Sequence, residues 1–568
     1  MQQISDNFMQ KTARYYSITF LLIGSITATS TLYAAEMRNT DHHSAFLSVF
    51  TAEFALGQGN IEQSLSTYHD LVMHYNVPNI NQRALEIALQ VNDIDAALEI
   101  AKHWVQQYPN DVPAMFYLAH LALRAQQYEL AAQTLDHILS LDTNADLEGI
   151  LDGIYPESLE ARQALLIALD HINKQNNPSL LVIVAGLEAQ NGQFNSALKK
   201  VNAALKQRPN VASFIILKAN LLFASDQEKD ALKWLNNNSL KQKTSDVGLF
   251  EVQHLIRQNQ MQPALNKLKK MIQKWPEEEQ LLFLAGITSI DLKQYDQAEK
   301  YLRTLQGSIN YQDQANYYLA VNAERKKDFA DAIELYKAVD GNFYTVSRKN
   351  LVAIYLAANN SGDAIRFLTQ ERVSHPYQAS FLYQLQAQIL DKIGQKQRAI
   401  TLLDDAIQQM PDDAELIYAQ VLLFDPFQDR DRLDHALNRL LDIEPNSPTF
   451  LNAYAYTLAL QNRKLDIARK YAEQALNYAP QQASILDTLG YIAFLQNDLD
   501  VAVKSLAEAY NLSPNLSIGI RYAKALYMYG DIEQFAKLCE ILAEHYPDSP
   551  EVLELQHLLI PIQSTQVS

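Results

Sequence analysis

Several residues in this 568-residue chain have side chains that could do chemistry. His69 and His74, and the adjacent pair His42 and His43, could ligate a metal; Cys539 could act as a nucleophile. The acidic runs PEEEQ (276–280) and PDDAE (411–415) could hold a cation or move protons. None of these has the spacing its chemistry needs. Metal-binding histidine pairs on a helix sit at i, i+4, which aims both imidazoles at one point, whereas His69 and His74 are five apart. No acid stands at ligand spacing from His42 and His43. A reactive thiolate needs exposure and a cationic neighbour, and Cys539 falls in an apolar helical pattern that predicts a core position. The acidic runs lie beside prolines at the starts of helical segments, where carboxylates meet the positive end of the helix dipole. The chain has neither a phosphate-cradling glycine loop nor a strand–turn–helix nucleophile elbow. The expectation is therefore no catalytic residue, no cofactor and no metal site.

The elements that would have to position such residues are helices. Glycine (16) and proline (18) are few for this length, while alanine, leucine and glutamine abound, a balance that favours helix. Small residues recur at fixed places. In LDTLGYIAFLQNDLDVAVKSLAEAYNLSP (486–514), Gly490 is followed by Ala502 twelve residues on, Ala509 after seven more, then Pro514. The same twelve-residue step separates Gly286 from Ala298, Ala320 from Ala332, Ala185 from Ala197 and Ala119 from Ala131. Aligned on these residues, units begin near 45, 78, 112, 178, 212, 245, 279, 313, 345, 380, 414, 449, 483 and 516. Their period is about 34 residues. The gap between 112 and 178 is nearly two periods and holds PESLEARQALLIALDHINKQ, which reads as a helix without the small-residue code. The unit at 449 fits only with one extra residue between Ala455 and Ala468.

A physical reason accounts for the code. Two helices of one unit cross where Gly490 and Ala502 sit, and a larger side chain would push them apart, since interaxial distance follows the size of the contact residues. Leu486, Leu489 and Leu506 fill the space between them. Gln496–Asp498 make the turn, Ala509 lets the next unit approach, and Pro514 stops the second helix. A unit of this kind cannot bury its apolar face alone and is stabilised by stacking on its neighbours.

In period and pattern the chain resembles the tetratricopeptide repeat family. That resemblance implies an all-α solenoid, a right-handed superhelix of helix–turn–helix units, whose first helices line a groove with their second, fifth, ninth and twelfth positions. Here those positions include Phe116, His120, Asn220, Phe223, Phe283, Tyr317, Glu324, Tyr418, Tyr456, Asp487, Tyr491 and Phe494. Aromatics with scattered polar groups suit an extended peptide or a partner helix; any one of them can instead pack against the next unit. Lys349 and Lys524 also fall at groove positions but lack the Asn and Lys partners of the family's carboxylate clamp.

Residues 45–111 and 450–510 have a narrower resemblance, to proteobacterial envelope repeat proteins that act as adaptors of a periplasmic carboxyl-terminal processing protease. The resemblance implies protein partners: that protease and its substrates, cell-wall hydrolases among them. A scaffold for an envelope assembly or export machine, such as polysaccharide export, is the alternative. One departure stands out. The adaptor is a lipoprotein, and this chain has no cysteine near its amino-terminal segment, so it has no lipid anchor site.

The amino terminus reads as an address. Lys11 and Arg14 precede an apolar stretch from Ile18 to Ala28, followed by small residues, the layout of a secretory signal peptide. At eleven residues that stretch is short for a span of about 20. Export to the periplasm is expected, with an uncleaved, membrane-held signal as the alternative. The expected plan is 1–35 signal or anchor, 36–44 linker, 45–145 repeats one to three, and 146–177 a degenerate or inserted helical unit. Repeats four to fourteen then fill 178–548, and 549–568 form a capping helix and loose tail. A net charge of −18, with no local cluster of Lys and Arg, repels phosphate backbones and excludes nucleic acid as a partner.

Overall fold

The computed structural model describes residues 41–75, 77–150, 156–172 and 176–565. The expected signal at 1–35, and residues 36–40 of the expected linker, lie outside the described residues. Thirty α-helices, two short 3-10 turns and no strand make up the described chain. Fourteen helical hairpins open at residues 41, 78, 112, 178, 212, 246, 279, 312, 344, 379, 414, 448, 483 and 516. The first of these corrects the expected boundary: Asp41–Gly57 is one helix, so residues 41–44 are helical and not linker. The fold is an all-α array of tetratricopeptide-type hairpins.

The hairpin Ala483–Leu495 with Leu499–Leu512 shows how the sequence makes this unit. A Cβ on Gly490 would lie 2.6 Å from Leu506 Cγ, so the closest approach is to Leu506, while Ala502 and Ala509 are wholly buried. Gly286 stands in the same relation to Leu302, again with 2.6 Å to a phantom Cβ. The turn is made by Asn497 at φ 61°, a left-handed conformation that asparagine and glycine tolerate best. Corresponding turns use Gly59, Asn92, Gly192, Asn259, Asn359, Gly394 and Gly530, and less favourably Lys293 and Lys327. The second helix ends at Leu512, two residues before Pro514.

Helix starts are capped as the acidic runs predict, with one difference. Asp413 accepts from the Leu416 amide at 3.0 Å and Asp111 from that of Ala114 at 3.2 Å. Glu278 instead takes the Ser245 hydroxyl of the preceding hairpin.

Three irregularities have local causes. In the expected degenerate or inserted unit, residues 142–150 and 156–158 are irregular chain and Leu159–Asp170 is a single helix. Asn177 ties this chain down by donating to the carbonyls of Thr143 and Ala145 at 3.1 and 2.9 Å. In the hairpin at 414 the first helix stops at Val421, and Asp425 organises the loop before Arg430 by accepting from the Phe427 and Gln428 amides. The extra residue of the hairpin at 448 sits in its turn, where Asn462 and Lys464 are both left-handed.

Contacts divide the chain after Ser308 into two units. In the first, a continuous apolar core runs from Ala52 to Leu187 and further clusters follow to Ala285. In the second, the core runs from Val352 to Ile492 and is closed by the unpaired last helix, Pro550–Thr565. Val552 and Leu555 of that helix are buried in one cluster with Leu538 and Leu542. It therefore caps the array and extends into the stretch expected to be a loose tail; residues 566–568 lie outside the described residues. Among the described residues no helix is long and apolar enough to cross a membrane.

Candidate partner-binding surface

Within the second unit, successive first helices lie side by side: Pro448–Leu460 touches Ala483–Leu495, which touches Leu516–Tyr529. Their partly exposed edges bring Tyr456, Asp487 and Tyr491 together around a residue the repeat register passes over, Arg521. The Arg521 guanidinium donates through Nη1 to Asp487 Oδ2, and through Nη2 to the Tyr456 hydroxyl at 2.9 Å. It also lies over two rings, 4.7 Å from the centroid of Tyr491 and 5.3 Å from that of Tyr456. Ion pairing and ring contacts of this kind fix a cation in one place.

The electrostatics of the cluster are unbalanced. Burial raises the Asp487 carboxyl above the ordinary carboxylate value, and Arg521 pulls it back down. Asp487 Oδ1 is buried with no hydrogen-bond partner among the described residues, as is Oδ1 of Asn452 at the fifth position of the Pro448–Leu460 helix. Buried acceptors left unpaired carry a desolvation cost. The surface thus offers two partly exposed tyrosine rings held against one fixed cation, which suits a polypeptide presenting apolar side chains and acceptor groups.

The other expected groove residues do not join this cluster. Phe283 is only 7% exposed and is corrected to a core residue, because its helix is apolar nearly all round. His120 Nδ1 lies 3.2 Å from the Ile150 carbonyl, so the irregular chain closes over it. Phe223 stacks on His254, with centroids 3.8 Å apart, and Phe116 packs on the first core cluster. Asn220 is exposed. Tyr317 stacks on Phe343 at 4.7 Å and burial pushes its phenol up; Glu324 accepts from the Tyr336 hydroxyl at 3.0 Å. Tyr418 meets Phe450 at 5.4 Å, and Phe494 packs against the cluster of Ala493, Ala502 and Leu506.

The residues that could have done chemistry are placed as follows. His69 pairs with Glu99 at 3.3 Å and His74 bonds the Asp70 carbonyl. Cys539 is 1% exposed, and burial pushes its thiol up to about 11. Among the described residues no three His, Cys, Asp or Glu side chains converge on a metal position.

Family models of the tetratricopeptide repeat match residues 88–151, 283–343 and 457–517, and support a place among tetratricopeptide-repeat proteins. A TPR repeat-containing protein of Pseudomonas aeruginosa is 25% identical over 494 residues, which cover 86% of this chain and 83% of the relative. Among solved structures, yeast Tom70 aligns with 93% of this chain and 97% of its own at 13% identity and a TM-score of 0.31. Cut9–Hcn1 of the APC/C hetero-tetramer covers 90% of this chain and 95% of its own at 12% identity and a TM-score of 0.32. Repeats of this type serve in general as scaffolds that bind other proteins.

Proposed function

We propose that this chain is a non-catalytic scaffold of the cell envelope, an adaptor that holds a periplasmic processing protease and brings to it substrates such as cell-wall hydrolases. The observation that carries the binding part of this reading is the Arg521 cluster. A fixed cation laid over two partly exposed tyrosine rings, beside a carboxylate with one unpaired oxygen, forms a polar and aromatic patch on adjacent first helices. The envelope part rests on the signal-like layout of residues 1–35. The partner part rests on the resemblance of 45–111 and 450–510 to protease adaptors.

The test is affinity capture from envelope extract, with residues 36–568 as bait and mass spectrometry as readout. A second bait carries Tyr456→Ala and Tyr491→Ala, both partly exposed, although Tyr491 also packs against a core cluster; its melting curve is recorded to show that it remains folded. Recovery of a processing protease with cell-wall hydrolases, lost from the second bait, supports the adaptor. Recovery of export or polymer-assembly components instead moves the function to the alternative scaffold. Equal recovery on both baits removes the Arg521 cluster from the account.

A further inference from the structure

The helix Asp41–Gly57 carries an apolar stripe with nothing over it among the described residues: Phe46 is 67% exposed, Leu47 54%, Phe50 62% and Phe54 59%. Side chains four apart lie above one another on a helix, so the three phenylalanines form one ridge. The array itself shows what this face is for. Counted from Ala45 as the later unit is counted from Ala483, Leu47 and Phe54 correspond to Ile485 and Ile492, which are 1% and 0% exposed. Ile485 is buried against Ala475 and Leu476 of the preceding second helix. Leu47, Phe50 and Phe54 are therefore the inter-repeat contact of a unit that has no predecessor among the described residues. The far end has no such gap, because the helix Pro550–Thr565 closes it.

We propose that this stripe is a self-association surface that seats the same helix of a second copy, antiparallel, about a two-fold axis at Phe50. Its spacing supports that occupant. F-x3-F-x3-F reads the same in both directions, so a two-fold at Phe50 places Phe46 of each copy against Phe54 of the other, the self-complementarity an isologous interface requires. Glu53, which the two-fold sets opposite Leu47 of the other copy, is held and its charge paired by Arg83 at 2.7 and 3.0 Å and by the Tyr68 hydroxyl at 2.7 Å. The area is modest. Aromatic side chains bury roughly 200 Å² each, so the exposed part of the stripe gives about 450 Å² per copy and about 900 Å² in all, the size of a weak interface. A weak, reversible dimer is expected. Each copy carries a charge of −18, so salt screens repulsion and strengthens the pairing.

Sedimentation of the full chain across a concentration series tests this. The expected result is a monomer–dimer equilibrium in the micromolar range, tightened by added salt. Phe50→Asp weakens it at least about tenfold with an unchanged melting curve, since Phe50 lies outside the core. Register is tested by oxidation. Phe50→Cys lies on the axis and forms a disulfide dimer. Phe54→Cys does not, because two copies of position 54 would stand about 12 Å apart along the helices; buried Cys539 adds no background. A chain monomeric at every concentration overturns the proposal, whether residues 1–40 or nothing covers the stripe. So does a dimer indifferent to Phe50→Asp, or one in which Phe54→Cys cross-links as readily as Phe50→Cys.

Discussion

The two units apply one repeat plan to different ends. In the first, the positions expected to face a partner are largely closed off: Phe283 is core, His120 meets the Ile150 carbonyl, and Phe223 lies against His254. In the second, Tyr317, Glu324, Tyr418 and Phe494 are engaged in the same way, and only towards its carboxy-terminal end do Tyr456, Asp487 and Tyr491 converge on Arg521 and leave Asp487 Oδ1 unpaired. A groove position in the register is thus only an opportunity. Whether it becomes a binding surface depends on what the neighbouring units leave uncovered.

The units differ likewise in how they hold buried charge, and substitutions there sharpen the contrast. In the second unit Arg348, 1% exposed, donates to the carbonyls of Tyr336 and Val339 and pairs with Glu371. It braces the end of the short helix Phe329–Lys337. Arg348→Ala leaves Glu371 buried without its cation and removes the guanidinium donors to the two carbonyls, and should cost about 3–5 kcal/mol. Hydrogen exchange should show faster amides in Phe329–Lys337 and Ser361–Ser374 with Met261–Lys274 unchanged; protection lost in both units would break the separation.

The counterpart in the first unit is Glu251 with Lys267, whose side chains are 7% and 4% exposed at 2.6 Å. Glu251→Leu strands the ammonium and should cost about 3 kcal/mol in denaturant unfolding. Glu251→Leu with Lys267→Met should recover most of that loss, because two buried charges are then removed together. A double variant no more stable than the single one would mean that the pair itself stabilises the unit.

Gly490→Ala is expected to cost about 1–3 kcal/mol by overpacking, since the new Cβ falls 2.6 Å from Leu506 Cγ and 3.2 Å from a backbone nitrogen. A melting temperature unchanged from the parent would show that the helices of this hairpin can part at little cost.

The smallest effect is a pH dependence at Asp487. Its carboxyl is raised in the folded chain, chiefly by burial. The unfolded chain therefore ionises first, and the ionised group weighs against folding above the raised value. As pH falls through that value towards the unfolded one near 3.8, the parent should gain stability relative to Asp487→Asn, which does not titrate there. Paired melting curves at neutral and acid pH read the difference; an opposite trend would show that Arg521 outweighs burial.

Most of the fold was legible in the sequence because the repeat encodes packing directly. Gly490 and Gly286 mark helix crossings, Asn497 marks a turn, and Pro514 marks a stop. The irregular chain before Leu159 was visible only as a missing pattern, since its course is set by long-range ties such as Asn177 to Thr143 and Ala145. The candidate surface was half legible. The register named Tyr456, Asp487 and Tyr491 but passed over Arg521, one residue beyond the fifth position of its helix. The long side chain of Arg521 reaches partners 34 and 65 residues back, a connection that no local spacing carries. It named Phe283 wrongly because periodicity does not separate an inner face from a helix that is apolar nearly all round.

The most direct test of the central claim, that partners are held on the Arg521 face of the second unit, is site-specific photo-cross-linking in the living cell. A photoreactive phenylalanine replaces Tyr491 in one strain and Lys470, exposed on the helix Leu465–Tyr478, in another. The account predicts a discrete protein adduct from position 491 that is absent at 470. Adducts of equal yield at both positions, or at 470 alone, would contradict it.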